Sequence, residues 1–380
     1  MILLMAVACG LTAANLYYAQ PLIGLIGPAL GLQGGAAALA VTLTQIGYGL
    51  GLVLVVPLGD LVENRTLVAW SLRFAAVAVL AAGLAPTGGV FLIAALCIGL
   101  LAVAAQILLP LAASMTPVEA RGQVVGEVMT GLLGGILLAR PAASLMAYAF
   151  GWRSIFFASA AMLLVLSLVL ARQLPVRRPR SGMQYGALVA SLWPLLRDTP
   201  ILQRRSAYQF GLFAAFSVFW TAAPLELAGA DFGYSQREIA FFALAGAAGA
   251  LVAPIAGRLA DRGYGRATTG AAFVIMTIGF AVSLAGGMGS LAAMLAAALL
   301  IDGAVQLSQI SGQRAIYSLA PEIRSRLNGL FIGIFFLGGA LGSASGGFAY
   351  AHGGWPWAAA VGGVFGAAPL LLWLTERREV

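Results

Sequence analysis

The chain has 380 residues, 61% of them hydrophobic and only 9% charged, with a mean hydropathy of +0.96, whereas a soluble domain carries about 25% charged residues. That balance excludes an ordinary water-soluble enzyme and points to the bilayer. The net charge of +8 comes from arginines alone, with no lysine, and no aromatic-plus-basic stripe accompanies them, so a nucleic-acid partner is excluded.

Apolar runs bounded by Gly, Pro or charge predict spans near 2 to 27, 36 to 58, 66 to 85, 88 to 111, 123 to 149 and 154 to 172. Six more follow near 207 to 228, 239 to 259, 267 to 286, 290 to 313, 327 to 350 and 355 to 374. Barrel strands need only about 9 to 11 residues of alternating polarity, so these longer runs predict helices. The first run lacks the basic start of a signal peptide and continues past Cys9, so it reads as a membrane helix. Cys9 and Cys97 sit inside apolar runs, and with the single His352 they predict no metal site, disulfide or cofactor.

Of the 21 arginines, 17 fall in the even-numbered loops and the C-terminal tail. By the positive-inside rule both termini are then cytoplasmic, which requires an even number of spans. The halves also repeat at an offset of 203 residues: Pro21-Leu22 recurs as Pro224-Leu225, Gln106 as Gln309, Glu119 and Arg121 as Glu322 and Arg324, Gly135 as Gly338, and Gly151-Trp152 as Gly354-Trp355. The expected architecture is all-α, with twelve transmembrane helices in two pseudo-symmetric six-helix bundles, residues 1–172 and 204–380. A parallel repeat with a solute site between its halves is a transporter arrangement. Residues 173–203 form the linker, whose short run from Tyr185 to Leu196 either lies on the anionic inner leaflet or is a solvated tether.

Span 10 carries Asp302, Gln306, Gln309 and Gln313 at spacings that share one helix face. Asp302 lies about 18 Å from the outer end at about 1.5 Å per residue, where an isolated carboxylate costs at least about 2.5 to 3.5 kcal/mol. It must be paired, protonated or hydrated. Arg140 on span 5 is the candidate partner, although its position in sequence is nearer the outer leaflet. Two readings stay open: a permanent bundle-holding salt bridge, or a carboxylate that exchanges its partner for a proton. Asn15 and Tyr18, Gln45 and Tyr48, Gln106, Gln209 and Trp220 are the other mid-span polar candidates for binding solute, together with Gln306 and Gln309. Tyr17 reads as an interfacial belt residue.

The loops after the second span of each half carry the most specific motif. The C-terminal copy is Gly257-Arg258-Leu259-Ala260-Asp261-Arg262-Gly263-Tyr264-Gly265-Arg266, and the N-terminal copy is Gly59-Asp60-Leu61-Val62-Glu63-Asn64-Arg65. With this loop and the repeat, the chain resembles the major facilitator superfamily, in its twelve-helix drug and small-molecule efflux branch. The resemblance implies that Asp261, Arg262 and Arg266, and less directly Glu63 and Arg65, gate the inward transition. From the residues alone, a topogenic charge cluster is the alternative. The resemblance also implies that spans 2 and 11, and 5 and 8, face each other across the halves. Small-residue ladders on those spans, at Gly47 and Gly51, Gly131 and Gly135, Gly246 and Ala250, and Gly338, Gly342 and Gly346, then read as the sliding interface. Two positions depart from the family pattern: span 4 carries Gln106 and no Arg, and span 5 reads Arg140-Pro141-Ala142-Ala143-Ser144. Both count against reading proton antiport from the resemblance.

The expected function is therefore secondary transport of a small amphiphilic solute, neutral or cationic, by alternating access in the inner (plasma) membrane, with proton-coupled efflux as the first reading. Membrane lipids and protons are the other partners, and a monomer is expected. A sugar or other polar-solute transporter is the alternative within the class, and a non-enzymatic sensor the alternative outside it. No His, Cys, Ser or metal constellation supports an enzyme.

Overall fold

Hydrocarbon offers no partner for backbone N–H and C=O groups, so a chain that stays in it must satisfy them within helices. The computed structural model describes residues 1–117, 120–177, 184–319 and 323–376, without the side chains of residues 250, 251, 260, 261 and 325. Glu119, Arg178, Arg180, Glu322, Arg377 and Arg378 lie outside the described residues, which are helical nearly throughout and contain no strand.

The first half contains α1 (Ile2–Ala14), α2 (Ile23–Leu30), α3 (Leu39–Leu54), α4 (Asn64–Leu84), α5 (Gly88–Leu101), α6 (Ala104–Ser114), α7 (Arg121–Phe150) and α8 (Ser154–Gln173). Two short helices follow, α9 (Tyr185–Ala190) and α10 (Leu192–Arg197). The second half contains α11 (Pro200–Ala228), α12 (Gln236–Ala247), α13 (Ala253–Asp261), α14 (Gly265–Gly286), α15 (Leu291–Tyr317) and α16 (Arg324–Leu374). Among the described residues nine helices are long and apolar enough to cross a membrane. The first and eighth spans are broken into α1 with α2 and α12 with α13, and α16 supplies two crossings, which gives twelve in two six-helix halves.

The breaks have local causes. Pro21 lacks an N–H and opens a 3-10 turn, Gln20–Leu22, between α1 and α2. The bend in α16 falls at Gly353 and Gly354, the latter at φ +63, and its repeat mate Gly151 ends α7 at φ +84. Each glycine precedes a buried tryptophan, Trp152 or Trp355, so the repeat in sequence is also a repeat of turn geometry. Starts are capped where water is near: Ser235 and Glu238 form a capping box on α12.

The ladders do not form the seam between halves. A methyl placed on Gly47 would lie 2.1 Å from the Leu96 carbonyl oxygen, on Gly135 2.1 Å from that of Gly10, and on Gly342 2.0 Å from that of Ala214. Gly246 faces Trp220. All of these neighbours belong to the same half as the glycine, so the ladders bring helices together inside each bundle. The side chain of Ala250 is outside the described residues. The helix pairing itself is as the resemblance implied, with α3 against α16 and α7 against α12.

Other glycines form the α3–α16 seam, and they splay. A methyl on Gly347 would meet the Ala38 Cβ at 2.2 Å, whereas one on Gly333 would stand 3.9 Å from the Gly49 carbonyl oxygen and one on Gly329 4.0 Å from that of Leu52. Thr42 and Ser343 share a 2.7 Å hydroxyl hydrogen bond on the tight side. The seam is thus tight at the end away from the linker and relaxes to ordinary van der Waals distance toward the linker end. Overpacking typically costs about 1 to 3 kcal/mol, so Gly342→Val should lower the melting temperature of purified protein. Gly126→Val, where nothing lies within 4 Å, should not. Equal melting of both variants would contradict the assigned crossing.

Candidate functional site

Near the middle of the molecule a cavity of about 110 Å³ is lined by α1, α3, α6, α7, α11, α15 and α16. Tyr48, Gln106, Arg140, Asp302, Gln306 and Gln309 all reach it, so the structure brings six of the sequence candidates together. Gln106 and Gln309, repeat mates in sequence, face it from opposite halves. Phe213, Phe216, Phe335 and Phe336 supply an aromatic wall, with the Phe213 and Phe335 rings 3.8 Å apart.

The charged pair is arranged around Trp220. The guanidinium of Arg140 lies over the Trp220 ring at 4.4 Å, and the Trp220 indole N–H donates to Asp302 Oδ2 at 3.1 Å. No salt bridge within 4.0 Å joins Arg140 to Asp302 among the described residues. Arg140 also lies over Tyr17 at 5.0 Å and Phe216 at 5.1 Å, and its Nε donates to Gln20 Oε1 at 2.8 Å. Arg140 and Asp302 are 4% and 7% exposed, so both charges are held away from water by π faces and single hydrogen bonds. The distance expected from sequence between a near-surface Arg140 and a mid-membrane Asp302 is bridged by one indole.

The remaining candidates lie outside the cavity lining. Asn15 donates to Leu11 O and accepts from Ser159, and Tyr18 is buried nearby. Gln45 donates to Ser217 across the halves at 3.3 Å, and Gln209 donates to the Val305 carbonyl at 3.5 Å. Trp220, 1% exposed, positions Asp302 from behind. Tyr17 is not a belt residue: it is 5% exposed and lines the cavity. Sequence reasoning also missed Gln20 and the phenylalanines. The phenylalanines follow helical spacing (213/216), but their apolar type matched any buried face.

Two further cavities share Gln106 with the central one and lead to the linker end. The larger, about 590 Å³, is lined by Arg121 and Arg324, again repeat mates. The smaller is roofed by Leu188 and Leu192 of the linker helices. There Tyr185 donates to the Leu54 carbonyl at 2.8 Å, and Arg326 donates to Ser191 at 3.0 Å. The linker helices therefore bridge the ends of α3 and α16, so they are more than a plain tether, while Trp193 stays 67% exposed.

The charged groups of the motif loops contact their own halves, and the backbone N–H of Asn64 donates to the Arg177 carbonyl of the linker at 3.1 Å. Glu63 pairs with Arg65 at 3.2 Å. Arg266 stacks on Trp373 at 4.5 Å while its carbonyl accepts from the Trp373 indole at 3.0 Å. Arg262 is exposed after the helix end at Asp261, and the Asp261 side chain is outside the described residues. No contact of these groups across the halves is found among the described residues.

A Major Facilitator Superfamily model matches residues 3–203 and 205–380. The chain belongs to the Major Facilitator Superfamily. It is 37% identical over 98% of its length, and 94% of the relative's, to an Escherichia coli O157:H7 protein named "Uncharacterized transporter YgaY". It is 35% identical over 95% of its length, and 84% of the relative's, to "Probable transporter SCO4007" of Streptomyces coelicolor. Among solved structures its fold is similar to that of the nucleoside transporter NupG, at TM-score 0.76 and 14% identity, covering 98% of this chain and 99% of that one. It matches an inward-facing, occupied bacterial homologue of the lysosomal transporter Spinster at TM-score 0.77 and 14% identity, covering 98% and 96%. The relatives and the family are transporters, so the chain is a membrane transporter of this superfamily and not an enzyme.

The linker bridge generates a test. In a variant with Cys9 and Cys97 replaced, Val56→Cys lines the small cavity beneath Leu188 and Leu192. Adding Arg326→Ala should speed its labelling by a membrane-impermeant maleimide in purified protein severalfold. An unchanged rate would mean that the linker helices do not cover the seam.

Proposed function

We propose that this transporter exports a small amphiphilic solute by alternating access and takes up protons in exchange, with Asp302 as the proton-carrying carboxylate. The observation that carries this reading is that Asp302 is buried on the cavity wall with one fixed donor, the Trp220 indole, and without a direct cationic partner. A carboxylate in that position is costly when charged and unpaired, at least about 2.5 to 3.5 kcal/mol. Protonation removes the cost, and a cationic group on a bound solute removes it as well. Proton and solute then compete for one group, which is the requirement for exchange.

The arginine bias supports placing the linker end and both termini in the cytoplasm of a cell whose inner, or plasma, membrane holds the protein. The end to which the cavities lead would then face the cytoplasm, where an exported solute enters. Residues 1–172 and 204–380 would move as two units about the central cavity, and the loops holding Glu63, Arg65, Asp261, Arg262 and Arg266 would close against the opposite half in the alternate state. Lipids surround the chain as a monomer in this reading.

A polar solute such as a sugar is the second reading, because Gln106, Gln306 and Gln309 present amides suited to hydroxyls. One structural neighbour, at TM-score 0.72 and 17% identity over 98% of this chain and 96% of that one, is a D-xylose-proton symporter.

A panel of labelled amphiphilic amines and sugars in proteoliposomes with an imposed pH gradient separates these readings. With the best-transported member, Asp302→Asn should cut gradient-driven accumulation by about tenfold or more, a change of ~1.4 kcal/mol, while exchange without a gradient continues. If Asp302 only holds the bundles together, combining Asp302→Asn with Arg140→Gln should restore gradient-driven transport, since each single change leaves a buried charge unmatched. For topology, alkaline phosphatase fused after Arg178 should be inactive in cells. Strong activity would place the linker outside.

A further inference from the structure

We propose that Arg140, positioned by Gln20 from outside the cavity lining, forms a subsite for a carboxylate on the transported solute, so that the solute is a zwitterion whose ammonium end faces Asp302. This deepens the transport reading above and rests on it.

Gln20 opens the 3-10 turn that breaks the first span, and its side chain is 1% exposed. Its Oε1 accepts from Arg140 Nε at 2.8 Å, so the other amide atom, Nε2, is the donor. Among the described residues that donor has no hydrogen-bond partner, and neither does Arg140 Nη2, although both atoms are buried. Two donors on side chains already joined by a hydrogen bond thus lack an acceptor. Leaving buried donors unmatched costs about 1 to 3 kcal/mol each, more for a charged group. Tyr17, Phe216 and Trp220 present their ring faces to the guanidinium at 5.0, 5.1 and 4.4 Å, and none of them offers it a hydrogen-bond acceptor. Among the described residues no hydrogen bond or salt bridge joins Asp302 to Arg140, and Asp302 Oδ2 accepts from Trp220.

A carboxylate matches paired donors of this kind, since it offers two oxygens to a guanidinium edge and an adjacent N–H. Arg140 and Asp302 both line the cavity, so a solute with a carboxylate and an amine can reach both. The phenylalanine wall takes its apolar body, and the cavity of about 110 Å³ shares Gln106 with the larger one of about 590 Å³ toward the linker end, so the two together offer room for a ring and its charged groups. The bound zwitterion adds no net charge, and its ammonium competes with the proton at Asp302.

Three probes with one aromatic body test this: phenylalanine, which carries both charges, phenylalaninamide, which keeps the amine, and 3-phenylpropanoate, which keeps the carboxylate. By titration calorimetry on the purified full chain, phenylalanine should bind about tenfold or more tightly than either single-charge probe. Gln20→Glu supplies a carboxylate to Arg140 from the chain itself and keeps an acceptor for Nε. Its melting temperature should stay near that of the native chain while phenylalanine affinity falls to that of phenylalaninamide. Equal native affinities for phenylalanine and phenylalaninamide, no binding of any probe, or native phenylalanine affinity in Gln20→Glu would overturn the subsite. Should Asp302→Asn still abolish gradient-driven transport in that event, the transport reading stands without it. Should the carboxylate preference hold while Asp302→Asn leaves gradient-driven transport intact, the subsite stands and the coupling role falls.

Discussion

One indole separates two opposite charges at the centre of this protein. Trp220 offers its face to Arg140 and its N–H to Asp302, and an indole can do both because its ring is electron-rich and its nitrogen only donates. That placement depends on the packing of α11, whose backbone at Phe210, Ala214 and Val218 is met by Gly338, Gly342 and Gly346 of α16. On its other side Gly246 of α12 lies against the Trp220 ring. Any larger side chain at these glycines would displace α11 and with it the partner of Asp302. The close crossings inside the second half are what fix the charge geometry.

The crossings also explain how one chain combines rigid halves with a loose seam. Backbones within a half approach until no methyl fits, while those across the α3–α16 seam relax to ordinary van der Waals distance toward the linker end. Tight contacts resist shear because there is no free volume to absorb it, so a change of state falls on the seam. The linker helices attach to both sides of that seam through Tyr185 and Arg326, so any closure at this end must release or carry them.

Much of this was legible in the sequence, and the limits were physical. The repeat at an offset of 203 residues placed Gln106 opposite Gln309, and helical spacing put Asp302, Gln306 and Gln309 on one face, because periodicity fixes relative direction along a single helix. It does not fix which neighbour that face meets. The glycine ladders were therefore found but assigned to the wrong contact, since a small residue permits close approach equally from within a bundle or across it. Tyr17 and Gln20 escaped for a different reason: they sit at a break before Pro21, where helical period no longer predicts direction. The linker's apolar positions were ambiguous between lipid and protein, which present similar surfaces to leucine.

The departure of span 5 from the family pattern has a meaning once the neighbours of Arg140 are known. Tyr17, Gln20 and Arg140 belong to the first half, Phe216, Trp220 and Asp302 to the second, and the cation–π contact of Arg140 with Trp220 spans the two. In the proposed exchange, rotation of one half against the other would alter that contact, because it lies on the interface between them. The charge environment of Asp302 is then a function of which end is open. A group whose surroundings change with the conformational state biases that state when its own charge changes, and the same linkage makes the state bias the charge. In the proposed exchange span 5, and not span 4, supplies the buried cation at the interface between the halves.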